Sequence, residues 1–182
     1  MSTERWEIDN SHSSVHFSVR HLVIAKVRGS FARWSGTVQV PDGEFSKATV
    51  AVTIDGSSID TGVAERDAHL KSPDFFDVAQ YPDLHFVGKR TQSQSSTEIE
   101  LVGDLTIKGI MREVVLRIQP HGQITDPWGN VRAAFSAKTS IDRKDFGLTW
   151  NQVLETGGVM VGDRVDIEAE IEAVKQVQAQ VA

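Results

Sequence analysis

Arg66, Asp67 and His69 fall within four consecutive positions of a 182-residue chain. A guanidinium, a carboxylate and an imidazole so close together could meet a polar head group, move a proton, or brace one another. Arg143 and Asp145 form a second polar pair beside Phe146 and Trp150. Buried charges persist only when paired, so pairing of Arg66 with Asp145 and of Asp67 with Arg143 is the structural alternative to a binding role. His12, His16 and His21 invite a metal. On a strand His12 and His16 would share a face and His21 would point away, and no acidic pattern is present to orient the ring nitrogens. No metal is therefore expected. Asp9, His12 and Ser13 have the residue types of a hydrolase triad. Triads are assembled by the fold rather than by adjacency, however, and the sequence has no G-x-S-x-G elbow. Gly157-Gly158 lacks the strand–GxGxxG–helix layout of a nucleotide site. The absence of cysteine excludes thiolate nucleophiles, disulfides and Cys-ligated zinc.

Composition narrows the partners. The chain is 40% hydrophobic and 24% charged, with a formal net charge of −6. A single domain of this size buries roughly 70% of its unfolded surface. The acidic balance argues against general nucleic-acid affinity, which rests on cations neutralising phosphates, and against a polybasic membrane-surface patch. No stretch approaches the length of a membrane-spanning helix. The N-terminal M-S-T-E-R-W-E-I-D has no apolar signal core, and the expected compartment is the cytoplasm.

The elements that must position these residues are mostly strands. Apolar and polar residues alternate over Val15–Val19, Ala48–Ile54, Val131–Thr139 and Val165–Ala173, as in half-buried strands. Gly36, inside a strand pattern, predicts a bulge or bend. Pro41-Asp42-Gly43, Lys108-Gly109 and the 126–130 segment read as turns, and 91–97 as a polar turn suited to disorder. Residues 57–82 break the alternation. Asp60 and Thr61 can cap a short helix, Pro73 ends it, and Phe75, Phe76 and Tyr81 follow as an aromatic plug. About eight strands and one helical interruption favour an antiparallel barrel closed on itself. Such a barrel is wide enough to be filled by side chains or to hold one small ligand. Phe17, Val19, Phe31, Ile54, Phe86, Leu105, Ile107 and Phe135 would line the interior, and Ala48, Ala133, Ala137, Ala169 and Ala173 would leave room. Periodicity alone leaves a lined pore and a solid core both open. Trp6, Trp34, Trp128 and Trp150 read as packing anchors at the barrel ends. The tail from Lys175 to Ala182 is expected to fray.

Ordered segments over residues 6–172 resemble the YceI-like family of polyisoprenoid-binding proteins. They are W-E-I-D-N-S-H-S-S-V-H-F-S-V-R-H-L at 6–22, G-S-F at 29–31, I-D-G-S-S-I-D-T-G at 54–62, R-D-A-H-L-K-S-P-D-F-F-D at 66–77 and Y-P at 81–82. G-D-L-T-I-K-G at 103–109, I-D-R-K-D-F-G-L at 141–148 and V-G-D-R-V-D-I at 161–167 complete the set. The resemblance implies one all-β domain over 1–182, an extended eight-stranded, lipocalin-like antiparallel barrel. Its pore would bind a long amphipathic lipid of isoprenoid or quinone-like type, with no catalytic residues and no cofactor. Many family members are periplasmic. On this reading the pore-lining set above takes up the chain, and His21, Arg66, Asp67, His69, Arg143 and Asp145 stand near its entrance with Phe75 and Phe76 as a gate. Two other classes stay open: an enzyme acting on a lipid through His21, His69 or Arg143, and a scaffold whose filled barrel serves a homodimer.

Overall fold

The computed structural model describes residues 2–177. Its strands are β1 (Thr3–Ile8), β2 (Ser14–His21), β3 (Ala25–Phe31), β4 (Trp34–Pro41), β5 (Thr49–Asp55), β6 (Ile59–Asp60), β7 (Asp83–Gln94), β8 (Ile99–Ile107), β9 (Ile110–Thr125), β10 (Val131–Asp142) and β11 (Val161–Lys175), with one α-helix, α1 (Ala64–Lys71). All pairings are antiparallel. The order β1-β4-β5-β7-β8-β9-β10-β11 closes through β11–β1, and β2, β3 and β6 continue from the other half of β11.

The eleven segments make an eight-stranded barrel because three barrel strands are each written in two pieces. β1 and β2 both lie along β11, with Ile8 opposite Ala173 and Ser14 opposite Glu170. The short 3-10 turn Asn10–His12 is therefore a jog within one strand, held by the Asp9 amide donating to Glu172 at 2.8 Å. β3 and β4 follow the same path beside β2 and β1, and β6 and β5 beside β3 and β4. A β-barrel strand this long would carry excess twist; the jogs let one edge change direction while the ladder stays paired.

Side-chain alternation sets the inner wall. Ala137 faces Ala169 across β10–β11, and Ala169 faces Val15 across β11–β2. The next inward row is Thr139, Ile167 and Phe17. Small residues in one row and large ones in the next leave unfilled space in the middle of the barrel. Gly29 lies directly opposite Phe17. A Cβ there would stand 2.4 Å from the Phe17 ring, so glycine is what lets the ring lie flat on the neighbouring strand. Gly36 has a different role from the one expected. Its ladder to β5 is unbroken, and a Cβ would meet Ile8 Cδ1 at 2.5 Å, so the glycine makes room for a side chain rather than bending the sheet.

One end of the barrel is plugged. Trp6, Val40, Ala133 and Ala173 form a buried cluster there. The rings of Trp6 and Phe45 lie 5.7 Å apart, and those of Phe45 and Phe135 5.9 Å apart. The space that Ala133 and Ala173 were expected to leave is thus taken by the Trp6 indole, whereas Ala48, Ala137 and Ala169 do border open space. Residues 91–97, expected to be disordered, extend β7 to Gln94 and then turn tightly, with the Ser95 hydroxyl accepting from Glu98 N at 3.0 Å. β11 reaches Lys175, whose ammonium meets Glu4 at 2.6 Å, and the Gln176 amide donates to Arg5 O at 2.8 Å. That first part of the tail is fixed to β1; residues 178–182 lie outside the described residues.

Candidate functional site

Between the Trp6 plug and α1 lies a cavity of about 590 Å³ with a mostly aliphatic and aromatic wall. This falls within the roughly 300–1,000 Å³ of small-molecule sites. β2 contributes Phe17, Val19 and His21, β3 Phe31, β5 Ile54, β7 Phe86, β8 Leu105 and Ile107, and β10 Phe135. From the other end come Arg66 and His69 on α1, Phe75 and Phe76 after it, and Arg143. Asp67 and Asp145 are the two candidates that do not reach the wall: Asp67 turns back to Thr61, and Asp145 is exposed outside the barrel. Missed by the sequence reading were Trp34, Val50, Leu116 and Ile118, which line it as well. The signal that could have found them was the same alternation, continued onto β4, β5 and β9.

Residues 64–82 cover the end opposite the plug. The expected cap is absent: Val63 precedes α1 without a side-chain bond, and Asp60 accepts from Gly62 N instead. The entry to the helix is braced through Thr61. Asp67 accepts from Thr61 N at 2.9 Å and Oγ1 at 2.6 Å, while Arg66 Nε donates to Thr61 Oγ1 at 2.7 Å and Nη2 to its carbonyl at 2.8 Å. Arg66 Nη1 has no protein partner among the described residues. The helix ends at Lys71, with Ser72 extended before Pro73. Beyond it Phe76 meets Phe31 edge-on at 6.0 Å, and Phe75 meets Trp150 at 5.5 Å. His69 stands edge-on to both Phe75 and Trp150, at 5.1 and 4.6 Å, with Nε2 2.9 Å from Asp74. The β8–β9 turn, with Lys108 and Gly109 at φ 52° and 73°, supports this cover from outside. Lys108 Nζ donates to Pro73 O at 2.9 Å.

Arg143 does not pair with Asp67, nor Arg66 with Asp145. Arg143 is buried, and its guanidinium donates to backbone carbonyls of the segment it closes: Gly162 at 2.8 Å, Trp150 at 2.9 Å, Val161 at 3.3 Å and Leu148. Asp163 lies at 3.7 Å. Burial pushes this guanidinium down from its ordinary value, against the pull of Asp163 and Asp142. Five planar donors suit a cage of carbonyls better than one carboxylate does. The side chain therefore organises residues 147–162 and shows only part of itself to the cavity.

At the plugged end Arg132 ties three strands together. Nε meets Asp126 at 2.8 Å, and Nη1 meets Asp9 at 2.9 Å and Glu172 at 2.6 Å. Asp126 and Asp9 are held well below the usual carboxylate range. Arg132 is the main cause for Asp126; hydrogen bonds from Ser11, His12 and then Arg132 act on Asp9. Asp9, His12 and Glu172 bring ligand-type atoms within 4.8 Å of one another. The Arg132 guanidinium already sits on two of them, so the cluster is a satisfied ion-pair network. His12 lies in the 3-10 jog and not on the strand face of His16. The Ser13 hydroxyl is bonded to the Glu172 backbone, and Asp9 and Ser11 both meet His12 at Nδ1, at 2.9 and 3.0 Å, so the acid–imidazole–hydroxyl relay of a triad is not formed. Trp6 and Trp34 are buried and Trp150 half-buried, but Trp128 is 82% exposed and anchors nothing.

The YceI-like domain family matches residues 6–173, nearly the whole barrel. The chain belongs to the YceI-like family. UPF0312 proteins of several Staphylococcus aureus strains are 39% identical over 165 residues, covering 90% of this chain and 94% of theirs. Among solved structures, Burkholderia cenocepacia BcnA superposes with a TM-score of 0.78 at 22% identity, covering 91% of this chain and 98% of that one. A polyisoprenoid binding domain from Saccharophagus degradans, implicated in plant cell wall breakdown, superposes with a TM-score of 0.67 at 13% identity, covering 94% and 98%. At those identities both structures establish the YceI-like fold alone.

Proposed function

We propose that this YceI-like protein binds and sequesters, or carries, a long amphipathic lipid of polyisoprenoid or isoprenoid-quinone type inside the barrel. One observation carries the reading: an apolar cavity of about 590 Å³, plugged at the Trp6 end and covered by a separate helix-and-aromatic segment at the other. Each buried methylene is worth about 0.8 kcal/mol, so a long tail gains affinity without directional contacts. Of the polar wall residues, Arg20, His21, Thr61, Glu65, Arg66 and His69 gather on β2 and around α1, while Thr91, Lys138 and Thr139 are spread over β7 and β10. The head group belongs at that end, where Arg66 Nη1 still has hydrogens to donate. Release would follow displacement of Phe75 and Phe76. The named ligand class of the Saccharophagus degradans domain supports the choice of an isoprenoid tail. Sequestration needs no cofactor and no turnover.

Native mass spectrometry of the purified protein, followed by organic extraction, tests the reading. A bound species released as an isoprenoid, quinone or other long-chain lipid is the expected result. An apo mass that also refuses added isoprenoids would overturn it.

A further inference from the structure

The β2–β3 turn is built from residues that a turn disfavours. Leu22 and Val23 have φ of 52° and 67°, a region where a β-branched residue is an outlier. Asn-Gly would sit there without strain. Leu22, Val23 and Ile24 are instead 38%, 63% and 86% exposed. They are not alone. The Leu22 amide donates to Met160 O at 2.9 Å, which joins the turn to the 147–160 loop. On that loop Val153 and Val159 form a β-bridge and are exposed too. His21, Met160 and Val161, next to these residues in the chain, border the cavity.

Cations surround this apolar tip. Arg20 lies directly opposite Lys26, one step from the turn, and Arg28 lies opposite Ser18. Like charges placed opposite each other destabilise a strand pair. Arg5, Arg33, Arg90 and Arg164 each have a carboxylate partner, but the side chains of Arg20 and Arg28 have no hydrogen bond or ion pair among the described residues. Glu155 on the loop and Asp166 near Lys26 offset part of this charge. The net charge of −6 does not disclose that Arg20, Lys26 and Arg28 stand together on this hairpin.

We propose that the β2–β3 tip and the 147–160 loop form a docking surface for an anionic lipid bilayer, with Leu22, Val23 and Ile24 entering the head-group layer. The inference rests on the lipid-carrier reading, because docking there would bring the cavity rim to the membrane and spare the tail a passage through water. Five exposed apolar side chains fall far short of the roughly 20–30 residues per side of a stable protein interface. Bilayer insertion needs only a few apolar side chains together with cations for anionic head groups.

Flotation with vesicles tests it, using equal parts phosphatidylglycerol and phosphatidylcholine, or phosphatidylcholine alone. The wild-type protein should float with the anionic vesicles, less with neutral ones, and less as salt is raised. Lys26→Ala should weaken partitioning about fivefold, the value of one cation at an anionic surface. Leu22→Asn with Val23→Gly and Ile24→Thr should abolish flotation while the melting temperature holds or rises, since the turn is relieved of strain. That combination separates loss of docking from loss of folding. Flotation by the triple variant at the wild-type level would overturn the proposal. So would a wild-type protein that ignores anionic vesicles, or one whose tip variant changes only its oligomeric mass. Lipid content by native mass spectrometry is read separately: a lipid-bearing protein that does not float refutes the docking surface alone, and a floating protein that holds no lipid and refuses added isoprenoids refutes the carrier reading alone.

Discussion

Gly29→Ala distinguishes an open barrel from a filled one. The new methyl would stand 2.4 Å from Phe17 Cζ, 2.8 Å from Cε1 and 3.0 Å from Thr61 Cγ2. Carbon atoms prefer about 3.5–4.0 Å, so the ring tip must move by about 1–1.5 Å. All three atoms belong to side chains, and Gly29 is extended within β3, so the backbone imposes no strain of its own. In a filled core such overpacking costs about 1–3 kcal/mol. Here Phe17 borders the cavity, and the ring can swing into empty space. The stability cost should stay below about 1 kcal/mol, under the usual overpacking range. The displaced ring then occupies room for one or two methylenes of the ligand. At about 0.8 kcal/mol each, affinity for a long-chain probe should fall about four- to fifteenfold. Urea denaturation and titration with a fluorescent long-chain lipid measure the two quantities. A loss of more than about 1 kcal/mol in stability with unchanged probe affinity would mean that Phe17 faces packed atoms, and the cavity reading would fail.

Two further outcomes follow from the two ends of the barrel. Replacing Phe75 and Phe76 together by Ala removes the contacts with Trp150, His69 and Phe31 and should raise the lipid off-rate in a stopped-flow transfer assay; an unchanged off-rate means that exit lies elsewhere. At the plugged end Asp9 and Asp126 have native pKa values below the unfolded value of about 3.9, so the unfolded chain binds more protons between the two. Their stabilisation is complete above about pH 4 and fades as pH falls through the lowered native values. The melting temperature should drop steeply below about pH 4, and Arg132→Met should lower it at neutral pH and flatten the acid limb; an acid limb of equal slope in the variant would show that other carboxylates govern it.

Much of the barrel was legible because alternation is a local property. Val131–Thr139 and Val165–Ala173 declare their faces residue by residue, and Lys108-Gly109 declares its turn. The interruptions were not legible in the same way. Asn10–His12 and Gly56–Ser58 look like turns that end strands, yet the chain on either side stays on one barrel strand: β11 pairs with both pieces across the first jog, and at the second β5 stays on β4 while β6 takes up β3, itself interrupted between Phe31 and Trp34. That fact lives in the partner, not in the segment. The two functions of strand glycine are likewise inseparable in one dimension. Gly36 reads as a bend until the Ile8 methyl appears at 2.5 Å from its missing Cβ.

The polar residues show the sharper limit. The apolar candidates border the cavity because burial needs only the right face, and any neighbour on that face will serve. A charge needs a particular partner, and the commonest partner in a folded chain is a backbone group that sequence does not distinguish. Arg143 takes four carbonyls, and Asp67 takes the Thr61 amide as well as its hydroxyl. The buried Arg143 and the half-buried Asp67 are both satisfied by a route that matching Arg to Asp could not reveal. The converse also holds. Arg20 and Arg28 keep a cation where no carboxylate comes within ion-pair distance among the described residues, and Leu22 and Val23 keep apolar side chains where the backbone favours Asn-Gly. Positions whose local preferences conflict with the fold are where a requirement other than folding acts, and these lie on one hairpin, β2–β3, whose Arg20 and His21 border the cavity.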